Sequence, residues 1–255
     1  MTTIGGTLII RNAVAYDYCI EAALYSLLGV CDEVVVVDGE SDDGTWEWLQ
    51  AYPHWLKNQR GYDLILCQRP WKPSPLGTWL ADLTNEARKQ LTTNMHLNLQ
   101  ADEVLHEADY PVIRACAEAR RSWRLNRLNF WLDPQHMLRP EVKVGSRIVR
   151  LAPTSVPCIG DAQGLQPSGA TDCDARIYHY GFLRNPQKLA AKARPMLKAF
   201  FNLADPIFDA VEQRGLEALG DATFATAVPR EQLLPYTGTH PKVAHGWLRE
   251  HGFTV

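Results

Sequence analysis

The feature that most constrains the fold is a run of four valines inside EVVVVDG, residues 33–39. Valine is stiff at χ1 and packs well on a pleated surface, so this run predicts a β-strand. Because no polar residue alternates with the valines, both faces of the strand should be buried. The run therefore predicts a parallel strand covered by helices in an α/β core.

Strand and helix patterns alternate on either side of this run. We predict strands at 7–10, 33–39, 62–69 and 95–100, and helices at 45–52, at 78–91 and after Asn12, which is positioned to cap a helix. The alternation predicts a doubly wound, mostly parallel sheet, in which ligands bind at the carboxyl ends of the strands. Polar clusters follow three of these ends, at Arg11 and Asn12, at 38–43 and at 100–103.

The second half of the chain changes character near residue 123. Strand patterns lie at 123–132, 145–151 and 175–182, a Gly-rich loop lies at 159–169, and helix patterns lie at 186–202 and 205–219. No stretch has the composition of a linker between independent domains. Because 255 residues suffice for one full core, we predict a single domain over 1–255, with halves at 1–107 and 108–255.

Composition excludes several classes of protein. With 46% hydrophobic and 22% charged residues, the chain has neither a disordered nor a membrane-spanning composition. The net charge of -3 supplies no overall field for polyanions. We interpret a local basic stretch as a solvated helix face, with a phosphate-rich acceptor as the alternative; it consists of Arg114, Arg120, Arg121, Arg124 and Arg127.

The cysteines and the N-terminal segment bear on the location of the protein. The six cysteines include no C-x-x-C pair, which predicts reduced core residues. The segment MTTIGGTLIIRN resembles neither a signal peptide nor a membrane span. We therefore expect a cytoplasmic protein.

Acidic residues follow two of the predicted strands. Asp38 ends the valine strand and opens DGESDDGT, residues 38–45, where carboxylates can accept hydrogen bonds from a nucleobase or a ribose. The same letters also suit an Asx-turn and a helix N-cap. Asp102 and Glu103 follow the fourth strand. A carboxylate at this position can hold Mg²⁺ or Mn²⁺. The alternative interpretation of the pair is that it starts a helix.

Together these motifs resemble the family 2 nucleotide-sugar glycosyltransferases of the GT-A fold. In that family an Arg-Asn pair follows the first strand and an Asp-Gly-x-Ser-x-Asp-Gly-Thr turn ends a later one, as at Arg11, Asn12 and 38–45 here. TNEA, which contains Asn85, resembles the Asn-bearing helix of the family. QADE at 100–103 lies where its Asp-x-Asp motif belongs, and HYGF at 179–182 resembles its late His segment. The resemblance is close over 7–107 and looser over 175–200.

The resemblance implies a GT-A type α/β fold with a C-terminal acceptor-side extension. It implies an enzyme that moves a sugar from a nucleotide-sugar donor, with UDP-sugar favoured, to an acceptor hydroxyl. Residues 1–107 would be the nucleotide-sugar-binding half, and 108–255, with the C-terminal helices, the acceptor side. Asp38 would contact the base, Asp102 and His179 would bind Mn²⁺ or Mg²⁺, and the remaining donor-binding residues would be Arg11, Asn12, Gly39, Asp43, Asn85 and Gln100.

Two residues depart from the family pattern. Gln100 replaces the first Asp of Asp-x-Asp, and Thr84 stands where a basic residue often precedes the Asn. One carboxylate together with a diphosphate still suffices for a divalent ion, so we expect metal binding with lower affinity. His179 has an alternative role as a hydrogen-bonded core residue between its aromatic neighbours.

Other nucleotide-binding folds do not fit. The first strand is not followed by G-x-G-x-x-G, which a dinucleotide-binding oxidoreductase requires, and the P-loop motif of kinases does not occur. Sugar-1-phosphate nucleotidyltransferases would have a Gly-rich, Arg-containing loop after the first strand, which this chain lacks. A catalytically inactive nucleotide-sugar-binding relative remains the alternative, because Gln100 is neutral.

An inverting transfer, usual in the resembled family, requires a base opposite the leaving group. The later half of the chain offers Asp133, Glu141, Asp161, Asp172 and Asp174. We favour Asp161, because Gly160 and Gly164 leave the backbone of its loop free to reach over the crevice. The alternative is a turn aspartate that bonds its own backbone.

The acceptor stays open between a glycan precursor, a protein side chain and a modified nucleic-acid base, because acceptor loops vary while the scaffold stays fixed. Aromatic side chains can stack on a sugar face or a nucleobase, although burial explains most aromatic residues. The candidates are Trp71, Trp79, Trp123, Phe130 and Trp131.

Overall fold

The computed structural model describes residues 1–51, 63–74, 77–131, 133–139, 147–183, 187–188, 191–192 and 233–255. The strands are β1 (Ile4–Ile10), β2 (Glu33–Asp38), β3 (Asp63–Gln68), β4 (Met95–Gln100), β5 (Glu103–Leu105), β6 (Trp123–Trp131), β7 (Asp133–Leu138), β8 (Arg147–Pro153), β9 (Cys158–Ile159), β10 (Gly164–Leu165), β11 (Thr171–Phe182) and β12 (Leu233–Pro235). The helices are α1 (Ile20–Leu28), α2 (Thr45–Ala51), α3 (Thr78–Lys89), α4 (Tyr110–Glu118) and α5 (His245–Glu250).

The first half forms the parallel part of one sheet, in the order β3-β2-β1-β4, and this sheet has ten strands among the residues that the structure describes. The valine strand is fully buried, as predicted, and its two faces pack differently. Val34 and Val36 lie in one core cluster with residues of α1 and α4, whereas Val35 and Val37 lie in a second with residues of α3. Each buried valine contributes about 1.5–3 kcal/mol. Helices therefore cover both faces of the sheet, and the predicted α/β class is confirmed.

The order β3-β2-β1-β4 places a topological switch point between β1 and β4. The chain winds outward from β1 through β2 to β3, then crosses back to the other side of β1. In such sheets the crevice at the carboxyl ends of the two strands beside the switch point binds ligands. Ile10 pairs with Asp38 and Ile9 pairs with Gln100, so the three polar clusters predicted from the sequence lie at one edge.

The second half extends the same sheet with antiparallel strands. β8 pairs with β4 and β6, and β6 continues through β7 to β12. β11 pairs with β5 and, in parallel, with β6. The helices predicted at 186–202 and 205–219 lie outside the described residues, apart from helical residues at 187–188 and 191–192.

Two local predictions were wrong, and one alternative is excluded. Asn12 does not cap a helix: it has a positive φ of 52° and bonds to the 41–42 turn, and α1 begins only at Ile20. The alternative of a helix start at Glu103 is excluded, because Glu103 begins strand β5. Arg127 lies on β6 with 5% exposure, so the basic stretch is not one solvated helix face.

The six cysteines are free in the structure, and four of them are buried. Burial raises the pKa of the Cys158 thiol to about 11, so that thiol is unreactive at neutral pH. None of the described helices is long and apolar enough to cross a membrane.

Candidate active site

The loop after β1 and the turn after β2 are joined by hydrogen bonds at the edge of the sheet. The Asn12 backbone N–H donates to Ser41 Oγ at 2.8 Å, and its side-chain amide donates to Asp42 at 2.9 Å. Arg11 Nη1 donates to the carbonyl of Gly39 at 3.0 Å. The structure therefore brings together Arg11, Asn12 and the 38–43 turn, as the sequence predicted.

Asp38 is fully buried beneath this turn. Its Oδ2 accepts from the backbone N–H of Ser41 at 3.0 Å and from Gln68 Nε2 at 2.9 Å, and its Oδ1 accepts from the Ser41 hydroxyl. A carboxylate has about four acceptor positions, so these bonds use most of its capacity. Asp38 therefore fixes the turn, and about one acceptor position, on Oδ1, is left over.

Asp43 anchors the end of the same turn to α2. It accepts from the backbone N–H of Ala15 at 2.7 Å and from both the backbone N–H and the hydroxyl of Thr45. Burial works to raise the pKa of this carboxyl, but the hydrogen bonds outweigh burial and hold the pKa below its ordinary value. Asp43 thus has the helix-start role that its sequence context also allowed.

An indole ring lies against the same turn. A Cβ added at Gly39 would lie 2.4 Å from Trp71 Cε3, so the glycine permits the close approach of the ring. Trp71 is partly exposed, whereas the other aromatic candidates are buried. Burial therefore accounts for Trp79, Trp123, Phe130 and Trp131, and Trp71 is the one of these five aromatic candidates that keeps exposed surface.

After β4 lies a compact group of side chains around a lysine ammonium, which we call the cation pocket. It is formed by Asp102, His179, Lys192, Tyr18 and Gly181. Asp102 Oδ2 accepts from Lys192 Nζ at 2.8 Å, and His179 Nε2 lies 3.8 Å from Asp102 Oδ1. The Lys192 ammonium also lies 4.5 Å from the centroid of the Tyr18 ring, within the range of a cation–π contact. A Cβ at Gly181 would lie 2.5 Å from His179 Nε2 and 2.9 Å from Asp102 Oδ2, so a bare glycine is required beside them.

Below this pocket lies a buried ionic triad, formed by Arg127, Glu103 and Arg150. Glu103 Oε1 accepts from Arg150 Nη2 at 2.6 Å and from Arg127 Nη1 at 3.2 Å, and its Oε2 accepts from the backbone N–H of Gln100. Arg150 and Glu103 are fully buried. Burial lowers the pKa of Arg150, and the charge of Glu103 opposes that shift. The triad joins β4, β5, β6 and β8.

The predicted base, Asp161, lies in the turn of the β9–β10 hairpin. Its Oδ1 is 3.4 Å from the backbone N–H of Gln163, which is long for a hydrogen bond. The Asp161 residue is partly exposed to solvent. Gln163 Oε1 accepts from Arg127 Nη1 at 2.7 Å, which ties the turn to the triad. Gly160, at a φ of 60°, supplies the left-handed backbone conformation of the turn.

Asn85 supports this hairpin from α3. Its Nδ2 donates to the carbonyl of Cys158 and its Oδ1 accepts from the Cys158 N–H, both at 2.9 Å. Arg88 also donates to Oδ1 at 3.0 Å. These bonds occupy both sides of the amide, so the structure gives Asn85 a supporting role in the Asp161 hairpin.

The alternative bases are placed less favourably. Asp172 is bonded to Arg124 at 2.8 Å and to Arg147 at 3.0 Å, and the Arg124 hydrogen bond holds its pKa below the ordinary value. Asp133 accepts from His136 Nδ1 at 2.7 Å. Asp174 is exposed on β11, and Glu141 lies outside the described residues.

The cation pocket does not fit a divalent ion while Lys192 is in place. The described residues contain no group of three or more His, Cys, Asp or Glu side chains able to hold a metal. An ion bonded to Asp102 Oδ2 at about 2.1 Å would lie within about 5 Å of the ammonium. A double and a single positive charge at that distance repel by about 7 kcal/mol at an effective dielectric constant of about 20. The predicted Mn²⁺ or Mg²⁺ would require Lys192 to leave.

Sequence reasoning missed Lys192, Gly181 and Arg150 as parts of this site. Arg150 offered a readable signal, because an arginine inside the apolar pattern of GSRIVRL must find a buried carboxylate partner. Lys192 offered none, since it lies 90 residues from Asp102 in a helical segment.

No family profile matches the sequence, and no curated protein matches it. Residues 1–349 of TarS from S. aureus match with 16% identity over 87% of this chain and 72% of the TarS chain, at a TM-score of 0.47. The same part of TarS in complex with UDP-GlcNAc matches with 14% identity over 86% of this chain and 73% of the other, at 0.45. The mannosyltransferase PcManGT from Pyrobaculum calidifontis, in complex with GDP-Man and Mn²⁺, matches with 18% identity over 87% and 76%, at 0.45.

Identities of 14–18% and TM-scores below 0.5 transfer neither a substrate nor a site residue to this chain. Its own strand order, with parallel β3-β2-β1-β4 followed by antiparallel β8 and β6, supplies the description of its fold. The chain has a mixed α/β architecture whose central strands, β3-β2-β1-β4, are parallel, consistent with the GT-A-type glycosyltransferase fold.

Proposed function

We propose that this chain is a glycosyltransferase that moves a sugar from a nucleotide-sugar donor to an acceptor hydroxyl, with inversion at the anomeric carbon. The observation that carries the proposal is the register at the switch point, where Ile10 pairs with Asp38 and Ile9 with Gln100. The 38–43 turn with Trp71 thereby lies at the same edge as the cation pocket. One end of this crevice suits a nucleoside, and the other suits a diphosphate.

The proposed reaction uses the two ends of the site differently: the leaving diphosphate lies near Asp102, and the base is Asp161. The acceptor oxygen attacks the anomeric carbon from the face opposite the diphosphate, and the bond from that carbon to the phosphate oxygen breaks. Its electron pair leaves with the nucleoside diphosphate, whose developing charge is stabilised at the Asp102 end of the crevice. The proton of the attacking hydroxyl passes to the Asp161 carboxylate, which the hairpin holds beside the triad.

Donor binding tests the proposal first. Thermal melting with UDP-, GDP-, CDP- and dTDP-sugars, with and without chelator, should show a rise in Tm with one nucleotide, UDP by the sequence resemblance. A ligand at a hundredfold excess over its dissociation constant adds about 2.7 kcal/mol, or roughly 5–10 °C in a chain of this size. A melting temperature unmoved by every donor contradicts the proposal.

A nucleotide-sugar-binding protein without activity is the second candidate function, favoured by the neutral Gln100 at the end of β4. Release of nucleoside diphosphate from the bound donor separates the two. Donor affinity without any release, to water or to an acceptor, favours the binding protein.

Replacing Asp161 with asparagine is expected to lower the turnover of transfer by about 10²- to 10⁴-fold, as for a positioned general base. Donor affinity should stay close to that of the wild type, because the half-exposed carboxylate lies in a hairpin turn outside the 38–43 turn. Both quantities are measured on the same preparation, with Asp174→Asn on the exposed side of β11 as the control. Near-native transfer by Asp161→Asn would exclude Asp161 and redirect the search to Asp133 or Glu141.

A further inference from the structure

A lysine ammonium occupies the cation pocket after β4. Lys192 donates to Asp102 at 2.8 Å and lies 4.5 Å from the centroid of the Tyr18 ring. The two side chains of the ion pair are 18% and 5% exposed, so the pair is largely shielded from water. The hydrogen bond to Asp102 is charge-assisted and the contact with the Tyr18 ring is a cation–π contact. Both are strongest when the Lys192 amine is protonated.

The charged side chains of the pocket and the triad favour binding of an anion. Asp102 and Glu103 supply two carboxylates, and Lys192, Arg127 and Arg150 supply three cations bonded to them. These five side chains together carry a net charge of +1, and the Nε atoms of both arginines are buried without a hydrogen-bond partner among the described residues. A divalent ion would raise the charge to +3, whereas a diphosphate would offset the charge that is present.

We propose that the Lys192 ammonium, rather than a divalent metal ion, is the resident cation that binds the diphosphate of the donor and stabilises it as it leaves. This inference rests on the proposed glycosyl transfer and names the group that supports the leaving diphosphate. An ammonium has three donor hydrogens, of which Asp102 uses one, so two are left for phosphate oxygens. Asp102 then acts as the positioning residue for Lys192.

The chemical step balances without a metal. The bond between the anomeric carbon and the phosphate oxygen breaks, and both electrons remain on the nucleoside diphosphate. Lys192 donates hydrogen bonds to that anion and gives up no proton. The proton of the acceptor hydroxyl passes to the base, so the products are the glycosylated acceptor, the nucleoside diphosphate and one proton.

Chelation of the wild-type enzyme gives the first test. Transfer and release of nucleoside diphosphate should be unchanged in EDTA and should gain nothing from added Mn²⁺ or Mg²⁺.

Lys192→Met should lower turnover by about 10²-fold, as does the loss of one preorganised donor to a developing anion. Lys188→Met, four residues earlier at an exposed position, is the matched control and should keep native turnover. Lys192→Arg retains the charge and should retain more activity than the Met variant.

Binding of Mn²⁺ gives a test that needs neither donor nor turnover. Electron paramagnetic resonance titration of the free protein should show that Lys192→Met binds Mn²⁺ about tenfold or more tightly than the wild type, because the competing charge beside Asp102 is gone. The double variant with Asp102→Asn should lose that gain. Added Mn²⁺ should also restore part of the turnover of Lys192→Met.

Two results would overturn the proposal. One is loss of wild-type transfer in EDTA with recovery on adding Mn²⁺, and the other is equal Mn²⁺ affinity of the wild type and Lys192→Met. If no nucleotide-sugar binds or reacts, the proposed function fails by itself. The Mn²⁺ titration then still decides whether Lys192 is the resident cation of the pocket.

Discussion

Replacing Asp102 with asparagine is expected to lower the turnover of glycosyl transfer by about 10²- to 10³-fold, with a smaller effect on the apparent affinity for the donor. The neutral amide cannot hold the Lys192 ammonium at 2.8 Å as a carboxylate does, so the positive charge at the diphosphate end is no longer fixed. The nucleoside end keeps its contacts, because the 38–43 turn is held by its own hydrogen bonds. Steady-state kinetics that separate kcat from KM measure this division.

Asp109→Asn is the matched control for that experiment. Asp109 is a buried carboxylate, 5% exposed against 3% for Asp102, and it too is paired with a cation, at 3.0 Å from Arg176. It lies before α4, outside the crevice. The two variants should therefore lose comparable stability, and Asp102→Asn alone should lose turnover. Equal turnover in both would remove Asp102 from the reaction.

Replacing Glu103 with glutamine is expected to cost about 3–5 kcal/mol of unfolding free energy, because it leaves two buried guanidiniums without their shared counter-charge. Arg150 and Glu103 are fully buried and Arg127 is 5% exposed, so water cannot compensate. For a chain of 255 residues this loss corresponds to a fall in Tm of about 6–20 °C. Thermal and denaturant unfolding of the variant measure it directly.

Asp172→Asn provides the comparison. Asp172 also pairs with two arginines, Arg124 and Arg147, but its side chain is 48% exposed. Because water solvates those guanidiniums, removing the carboxylate should change the Tm little. A Glu103→Gln protein as stable as Asp172→Asn would show that the triad contributes nothing beyond an exposed ion pair.

The parallel half of the fold could be predicted from the sequence because its signals are local. The four valines, the turn residues of DGESDDGT and the apolar spacing of 78–91 each lie within a short window. β2, α2 and α3 begin and end within about two residues of the predicted limits, which is the usual uncertainty at element ends. The edge of the sheet that carries the crevice followed from strand order alone.

The partners within the site could not be predicted in the same way. Asp38 meets Gln68 across 30 residues, Glu103 meets Arg150 across 47, and Asp102 meets Lys192 across 90. Each pairing depends on strand register and on the path of the second half of the chain, which no local pattern encodes. The sequence therefore indicated where the acidic residues lie, and the structure identified the side chains that bond to each of them.

The pairing of β4 with β8 has a consequence for synthesis on the ribosome. β4 ends at Gln100, but its neighbour β8 is complete only at Pro153, and Arg150 belongs to that strand. Until that residue emerges, the nascent chain carries an open strand edge, which is a template for misassociation, and a Glu103 without its full counter-charge. A fragment that stops at residue 107 would keep both defects permanently, so we expect that the donor-side half does not fold on its own.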